Sequence, residues 1–305
     1  MAIKSRNLDP QLYAQILMAA YGLSLSPTGT VFYVDSGHPN ASANVPGTNP
    51  KAPLSTINAA IGKCSANNGD LIIVSPGHAE TVSTAAGINI NVAGVTIIGL
   101  GVGASRPTIT MSAVASTFAI SSASAVVANL LFLSTAACTV VVDVNAADAL
   151  IQSCEFRRTS GTVPVVWIDV NGGAANACDR TKIFDCRMNT GTNVGATGFV
   201  ELGEVADGVQ IRRCVVFGDF GDACIHNPTG KVLTNLNISD CELTNLQTGD
   251  HSIELVSACT GMLARNLYSN DMTQATGVDP GSCSSFECYQ DDTVDVSGIL
   301  TPVAT

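Results

Sequence analysis

The chain has 305 residues and a formal charge of −11, from 14 Lys and Arg against 25 Asp and Glu. Its basic residues never gather beyond the pairs Arg157–Arg158 and Arg212–Arg213, which argues against nucleic acid as a partner, since phosphate binding needs a basic face. Only 13% of residues are charged and 5% aromatic, while 28 are glycine, a balance that suits many short strands and tight turns and disfavours a helical fold.

Residues 1–30 read as a separate arm. Lys4 and Arg6 precede an apolar run, but Asp9, Pro10, Gln11 and Gln15 interrupt the place of a signal-peptide core, so none is expected. The sequence holds no run of about 18 apolar residues, so no membrane partner is expected either. Asp9 is a natural N-cap with Pro10 at the first helical position, and Gly22 a natural C-cap. Between them Leu12, Ile16 and Ala19 share one face, flanked by Tyr13, Leu17 and Ala20. Such a face has to be covered, by the chain's own body or by sister chains or a larger assembly. The second alternative makes Leu12, Tyr13, Ile16 and Leu17 the predicted partner-binding residues.

Residues 31–82 read as the N-terminal cap of a solenoid. V-F-Y-V-D-S-G is a strand and turn, and P-L-S-T-I-N-A-A-I-G-K-C a short helix with Ser55 or Thr56 as N-cap. G-D-L-I-I-V-S-P-G is a strand from Leu71 to Val74 ended by Pro76–Gly77. A short amphipathic helix over the first rung is one way to hide its open edge.

Residues 83–270 repeat. I-Q-S-C-E-F begins at Ile151, I-F-D-C-R-M at Ile183, I-R-R-C-V-V at Ile211 and I-S-D-C-E-L at Ile238. Fainter copies begin at Ile97, Val126 and Leu263, so the fourth position falls at 100, 129, 154, 186, 214, 241 and 266. A strand-like period of about 20–50 residues marks a solenoid. A second strand follows each segment, at 118–120, 140–144, 165–170, 199–202, 223–225 and 253–256, and alternation there turns Val166 and Ile168 inward and Trp167 outward.

The position before the cysteine carries Gly99, Ala128, Ser153, Asp185, Arg213, Asp240 and Arg265, which suggests a bend that the arginines fit less well. Stacked rungs would also pair Asp185, Arg213, Asp240 and Arg265 in a charge ladder, with Glu155 beside Arg187. Cys154, Cys186, Cys214 and Cys241 form a predicted structural ladder of buried thiols within the 11 cysteines, expected to stay reduced as in a cytoplasm. Cys283 and Cys288 read as two loop thiols. Residues 271–305 are a C-terminal cap or tail.

The opening patterns F-Y-V-D-S-G, P-L-S-T-I-N-A-A-I-G-K-C, G-D-L-I-I-V-S-P-G-H-A-E-T-V and G-V-T-I-I-G-L-G resemble right-handed parallel β-helix proteins of the pectin-lyase-like superfamily. The resemblance covers roughly residues 31–270. It implies an all-β, single-stranded right-handed parallel β-helix, here with an N-terminal helical arm and a short capping helix. The low charge and the wealth of Ala, Ser, Thr, Asn and Gly look most like bacteriophage particle proteins. That implies a virion location after folding in the host cytoplasm, other virion proteins (capsid shell or tail) as partners, and a homo-oligomer, a trimer by resemblance.

Catalysis on this scaffold would need paired carboxylates for hydrolysis or a base with an acid cluster for elimination. The sequence offers Glu201 with Glu204 and Asp207, Asp219 with Asp222 and His226, and Asp250 with His251 and Glu254. Each is a local run in a turn, so no catalytic residue is assigned. The four histidines lack metal-ligand spacing, and no metal or cofactor is expected. Trp167, facing out, would be either a sugar-stacking platform or a subunit contact. The reading taken is a non-enzymatic bacteriophage virion structural protein, a capsid decoration or cement protein attached through its arm. The alternatives are a tailspike-like polysaccharide depolymerase or lyase, and a non-catalytic carbohydrate-binding adhesin.

Overall fold

The I-x-x-C-x-F segments form two strands each, because the residue before the cysteine turns the chain. Asn129, Ser153, Asp185, Arg213, Asp240, Arg265 and Glu287 all have φ between 50° and 58°. One left-handed residue is affordable as a single bend but cannot be continued, so the strands on either side of it belong to different sheets. The arginines take this bend as the aspartates do.

The computed structural model describes residues 28–159, 161, 163–192, 195–247, 249–270 and 277–292, together with Ala19. Over that range the chain is a parallel β-solenoid whose complete rungs carry one strand in each of three long sheets, with a small two-stranded sheet of Ala206–Asp207 and Leu233–Thr234 beside them. Sheet 1 has ten strands, from Val31–Val34 and Leu71–Val74 to Ser284–Phe286. Sheet 2 has eight, from Ile88–Ile90 to Val278–Asp279, and sheet 3 nine, from Ala79–Val82 to Tyr289–Asp292. Leu12, Tyr13, Ile16 and Leu17 of the predicted arm lie outside the described residues; of residues 1–30 only Ala19, helical and exposed, and residues 28–30 at the entry to the first strand are described.

Val31–Val34 pairs in parallel with Leu71–Val74, which in turn pairs with Thr96–Gly99. The stretch 31–82 therefore supplies the first strands of the solenoid itself. The covering is done by the helix Ile57–Ile61, whose N-cap Thr56 accepts a hydrogen bond from the Ala59 amide, and whose Ile57, Ala60 and Ile61 are buried.

The register corrects the faint repeats. Val127 faces Ile151, so Leu130 holds the cysteine position and Asn129 the bend, one residue later than the sequence spacing suggested. Leu263 faces Ser285, which adds a rung and places Cys288 at the cysteine position. Cys283 and Cys288 are therefore core thiols and not loop thiols, at 9% and 0% exposure.

Cys154, Cys186, Cys214 and Cys241 are all buried in the core. Each thiol donates to the carbonyl two residues back, as Cys186 Sγ does to Phe184 at 3.4 Å and Cys241 Sγ to Ser239 at 3.3 Å. That carbonyl already accepts from the bend amide of the preceding rung, as Phe184 does from Ser153 at 2.9 Å, so the small thiol adds only a weak contact while filling the space as an apolar group would. Asn266 takes the cysteine position on its rung, and its Nδ2 donates instead to the Ile238 carbonyl of the preceding rung at 2.9 Å. All 11 cysteines are free, and burial pushes the Cys186 thiol well above its ordinary pKa. Only Cys64 is half-buried, with its thiol pushed up to about 12, mainly by burial and then by Asp70. An Ellman-type titration of the native protein is thus expected to find about one slow thiol at most, and all of them after denaturation. Several fast thiols in the native state would contradict the buried column.

Two successive residues of four central sheet 2 strands face the core. Val142, Ile168, Val200 and Ile225 line it, and so do the residues just before them, Val141, Trp167, Phe199 and Cys224. Strict alternation therefore fails at this corner, and Trp167 is 0% exposed, not on the surface as alternation requires. It packs edge-on against Phe156 at 6.0 Å between centroids. It serves neither as a sugar platform nor as a subunit contact.

The charge ladder resolves into separate pairs. Arg213 grips Asp185 through Nε at 2.6 Å and Nη2 at 3.0 Å, and Arg265 grips Asp240 at 2.7 and 2.8 Å. Arg180 holds Asp148 in the same way at the opposite end of sheet 1, at 2.7 and 2.8 Å. Glu155 stands opposite Arg187 in register, but its carboxylate pairs with Arg106 at 3.0 Å and with Arg157. Because the Asp185 and Arg213 side chains are 32% and 52% exposed, Asp185→Asn is expected to lower the unfolding free energy measured in urea by about 0.5 kcal/mol or less. A loss above about 2 kcal/mol would mean the pair carries more than register.

Candidate acidic face and cleft

Sheet 2 turns one column of side chains outward, and that column is acidic. The parallel register stacks Asp143 on Asp169, Asp169 on Glu201, Glu201 on His226, His226 on Glu254 and Glu254 on Asp279. Successive members sit about 4.8 Å apart along the stack. The eight strands of this sheet contain no Lys or Arg, so the carboxylates have no basic neighbour on their own sheet.

That crowding shows in the titration of the central groups. Asp169 is 9% exposed, and its Oδ1 has no hydrogen-bond partner among the described residues. Burial, then the charges of Glu201 and Asp143, push its pKa up to about 7. Asp143 is raised by burial, and Glu201 by burial and then by Asp222. Asn171 reaches Asp169 Oδ2 only at 3.5 Å. The close fit explains the glycine at 203: a Cβ there would lie 2.6 Å from Asp169 Oδ1.

Toward the C-terminal end the column opens into a cleft of about 310 Å³. Glu201, Asp222 and Glu254 rim it, His226 lines its floor, and Val165, Thr197, Asn227, Pro228 and Thr229 complete it. Asp222 reaches the rim because the strand Phe220–His226 carries one extra residue against Ala196–Glu201, a bulge that re-aims the side chains it interrupts. The His226 ring leans over Gly198, where a Cβ would meet its Cδ2 at 2.6 Å. Its Nε2 lies 3.8 Å from Glu201 and its Nδ1 3.7 Å from Asp222, both beyond hydrogen-bond distance. Burial lowers the His226 pKa, outweighing the opposite pull of Asp222, and so favours the neutral ring.

The structure redistributes the three acidic runs read from the sequence. Glu201 joins the column, while Glu204 binds Lys231 at 2.9 Å, and Asp207, on the short strand Ala206–Asp207, accepts from Thr234 and Asn235 at 2.6 and 2.7 Å. Asp222, His226 and Glu254 come together, whereas Asp219 is buried apart, with its carboxyl raised by burial. Asp143 was missed as a site residue, because it adjoins Asp169 and Glu201 only through the stacking. Had the second strands been aligned rung on rung, V-D-V at 142–144 and I-D-V at 168–170 would have shown the column.

Asp169 and Glu201 have roughly the separation of a hydrolytic carboxylate pair. A general acid must touch the leaving oxygen, and the Asp169 carboxyl is largely buried, with its Oδ1 covered. The arrangement can hold protons and attract cations. Among the described residues no group of three His, Cys, Asp or Glu side chains is placed to hold a metal ion, and no helix is long and apolar enough to cross a membrane.

No protein-family model matches the chain, and no curated protein matches it. Among solved structures it is similar to ORF18 of Geobacillus virus E2, at 11% identity and a TM-score of 0.38. The match covers 96% of this chain and 66% of the viral chain, so this chain spans about two thirds of that protein's length.

Proposed function

We propose that the chain is a non-enzymatic structural protein of a bacteriophage particle, a rod that decorates the capsid and attaches through residues 1–30. The observation that carries this reading is the unbroken parallel register of sheet 1 from Val31 to Phe286. Such a stack, with paired Asp and Arg at its corners, suits a stiff spacer, and its low charge and wealth of small and hydroxylated residues look like phage particle proteins. The right-handed winding shared by nearly all parallel crossovers, kinship with the pectin-lyase-like superfamily and a homotrimeric state belong to the same reading. The free buried thiols suit folding in a reducing host cytoplasm.

The test uses phage particles assembled without this protein. Full-length chain added back is expected to co-sediment with them, and the double variant Leu12→Asp/Ile16→Asp to remain in solution. Multiple-turnover release of oligosaccharide from a host surface polysaccharide would overturn the reading in favour of a depolymerase. Saturable polysaccharide binding without particle binding would overturn it in favour of an adhesin.

A further inference from the structure

We propose that the cleft between Glu201, Asp222 and Glu254 is a receptor for a guanidinium group, an arginine side chain presented by a partner protein. This goes beyond the structural role and holds whether or not the rod is carried by a phage. Charge makes the first case. Three carboxylates rim the cleft, and neither its lining nor the eight strands of its sheet include a Lys or Arg.

His226 makes the second, independent case. It is 6% exposed, it lines the cleft, and its Nε2 has no hydrogen-bond partner among the described residues. Both ring nitrogens face a carboxylate across a gap of 3.7 or 3.8 Å. A neutral imidazole has one donor and one acceptor to satisfy, and here the two acidic walls stand just too far apart. A cation drawn between them would let the walls close on it.

Size and shape select the cation. At about 310 Å³ the cleft is at the lower bound of small-molecule sites, which suits one side chain better than an oligosaccharide. A planar guanidinium offers five donors in a fork and lies flat on rings and apolar walls, here His226, Val165 and Pro228. Its fork can serve carboxylates on two rungs about 4.8 Å apart, which a point-like ammonium cannot. The rest of the acidic column would steer a basic surface toward the cleft. Binding would also relieve the repulsion between Glu201 and Asp222 and release protons.

The experiment titrates full-length protein carrying labelled histidine with Nα-acetyl-arginine amide, following the His226 ring resonances by NMR. With four histidines in the chain the ring signals are assignable by substitution. A saturable His226 shift is expected with the arginine probe, about fivefold weaker with the lysine analogue, and none with the neutral citrulline isostere. Glu201→Gln/Glu254→Gln should weaken binding at least about tenfold. Thr229→Trp, which fills the mouth and leaves the charges in place, should do the same. Circular dichroism of both variants shows whether they remain folded. Equal shifts with citrulline, no saturable shift with arginine, or full binding by both folded variants would each overturn the proposal.

Discussion

Phe156→Ala is expected to cost about 3–5 kcal/mol, among the largest single losses in the molecule. Phe156 is 0% exposed and sits at the centre of an aromatic cluster that spans several rungs. It stacks on Phe132 at 5.2 Å and meets Phe199 and Trp167 edge-on at 5.4 and 6.0 Å. Removing it leaves a cavity whose walls belong to three rungs held by their own ladders, so the site cannot collapse cheaply. Each aromatic pair adds roughly 0.5–1.5 kcal/mol beyond its area. Because each rung rests mainly on its neighbours, the loss should be felt locally. Amide exchange should rise first at Glu155–Arg158 and Arg187–Asn189. Guanidinium unfolding followed by tryptophan fluorescence reports on Trp167 itself, the single tryptophan of the chain. A loss below about 1 kcal/mol, or uniform exchange along the rod, would mean that the cluster does not bind the rungs together. Phe156→Leu keeps much of the volume and is expected to cost less than half as much.

The repeat was legible because side chains at the bend are chemically constrained. A left-handed residue beside a small core thiol leaves the same signature in I-Q-S-C-E-F, I-F-D-C-R-M and I-S-D-C-E-L, and the structure stacks all three. Where the cysteine is replaced by Leu130, the signature weakens and the sequence reading slips by one residue. Trp167 was misplaced for another reason: alternation assumes a flat strand, and two consecutive inward residues at a corner break it. The acidic column was the least legible feature. Asp143, Asp169 and Glu201 are separated by a whole turn of chain each, whereas Glu201, Glu204 and Asp207 are near in sequence yet point into different surroundings. In a solenoid, proximity along the chain says little about which charges meet, because each rung carries its neighbours to other sheets.

Asp169→Asn is expected to stabilise the protein above pH 7 and to flatten its stability between about pH 4 and 7. Burial and its acidic neighbours push the carboxyl up to about 7 in the fold, against an ordinary aspartate value of 3.8. A group whose folded pKa is raised stabilises the fold fully below its unfolded pKa, and that contribution is lost as pH rises through the folded one. Between the two values the fold keeps a proton that the unfolded chain has released. Above about 7 the fold must hold a charge that is buried and crowded by Glu201 and Asp143. At about 1.36 kcal/mol per unit the full shift corresponds to a few kcal/mol, shared in practice with the two neighbours. Asparagine keeps the shape, removes the charge and offers an N–H to Glu201. Asp143 and Glu201, also raised, should leave a smaller slope of the same sign. Asp148, Asp240, Glu204 and Asp207 are lowered by their hydrogen-bond partners, so their contribution is present above their unfolded values and fades only on acidification below about pH 4. The two sets together place the stability maximum in mildly acidic solution. Thermal unfolding at pH 5 and pH 8 decides the matter: the native chain should melt lower at pH 8, and the variant at nearly the same temperature in both. Equal melting of the native chain at the two pH values would show that Asp169 shares no proton in the fold. The acidic column would then be an open, solvated surface, without the electrostatic pressure that should draw a cation to the cleft beside it.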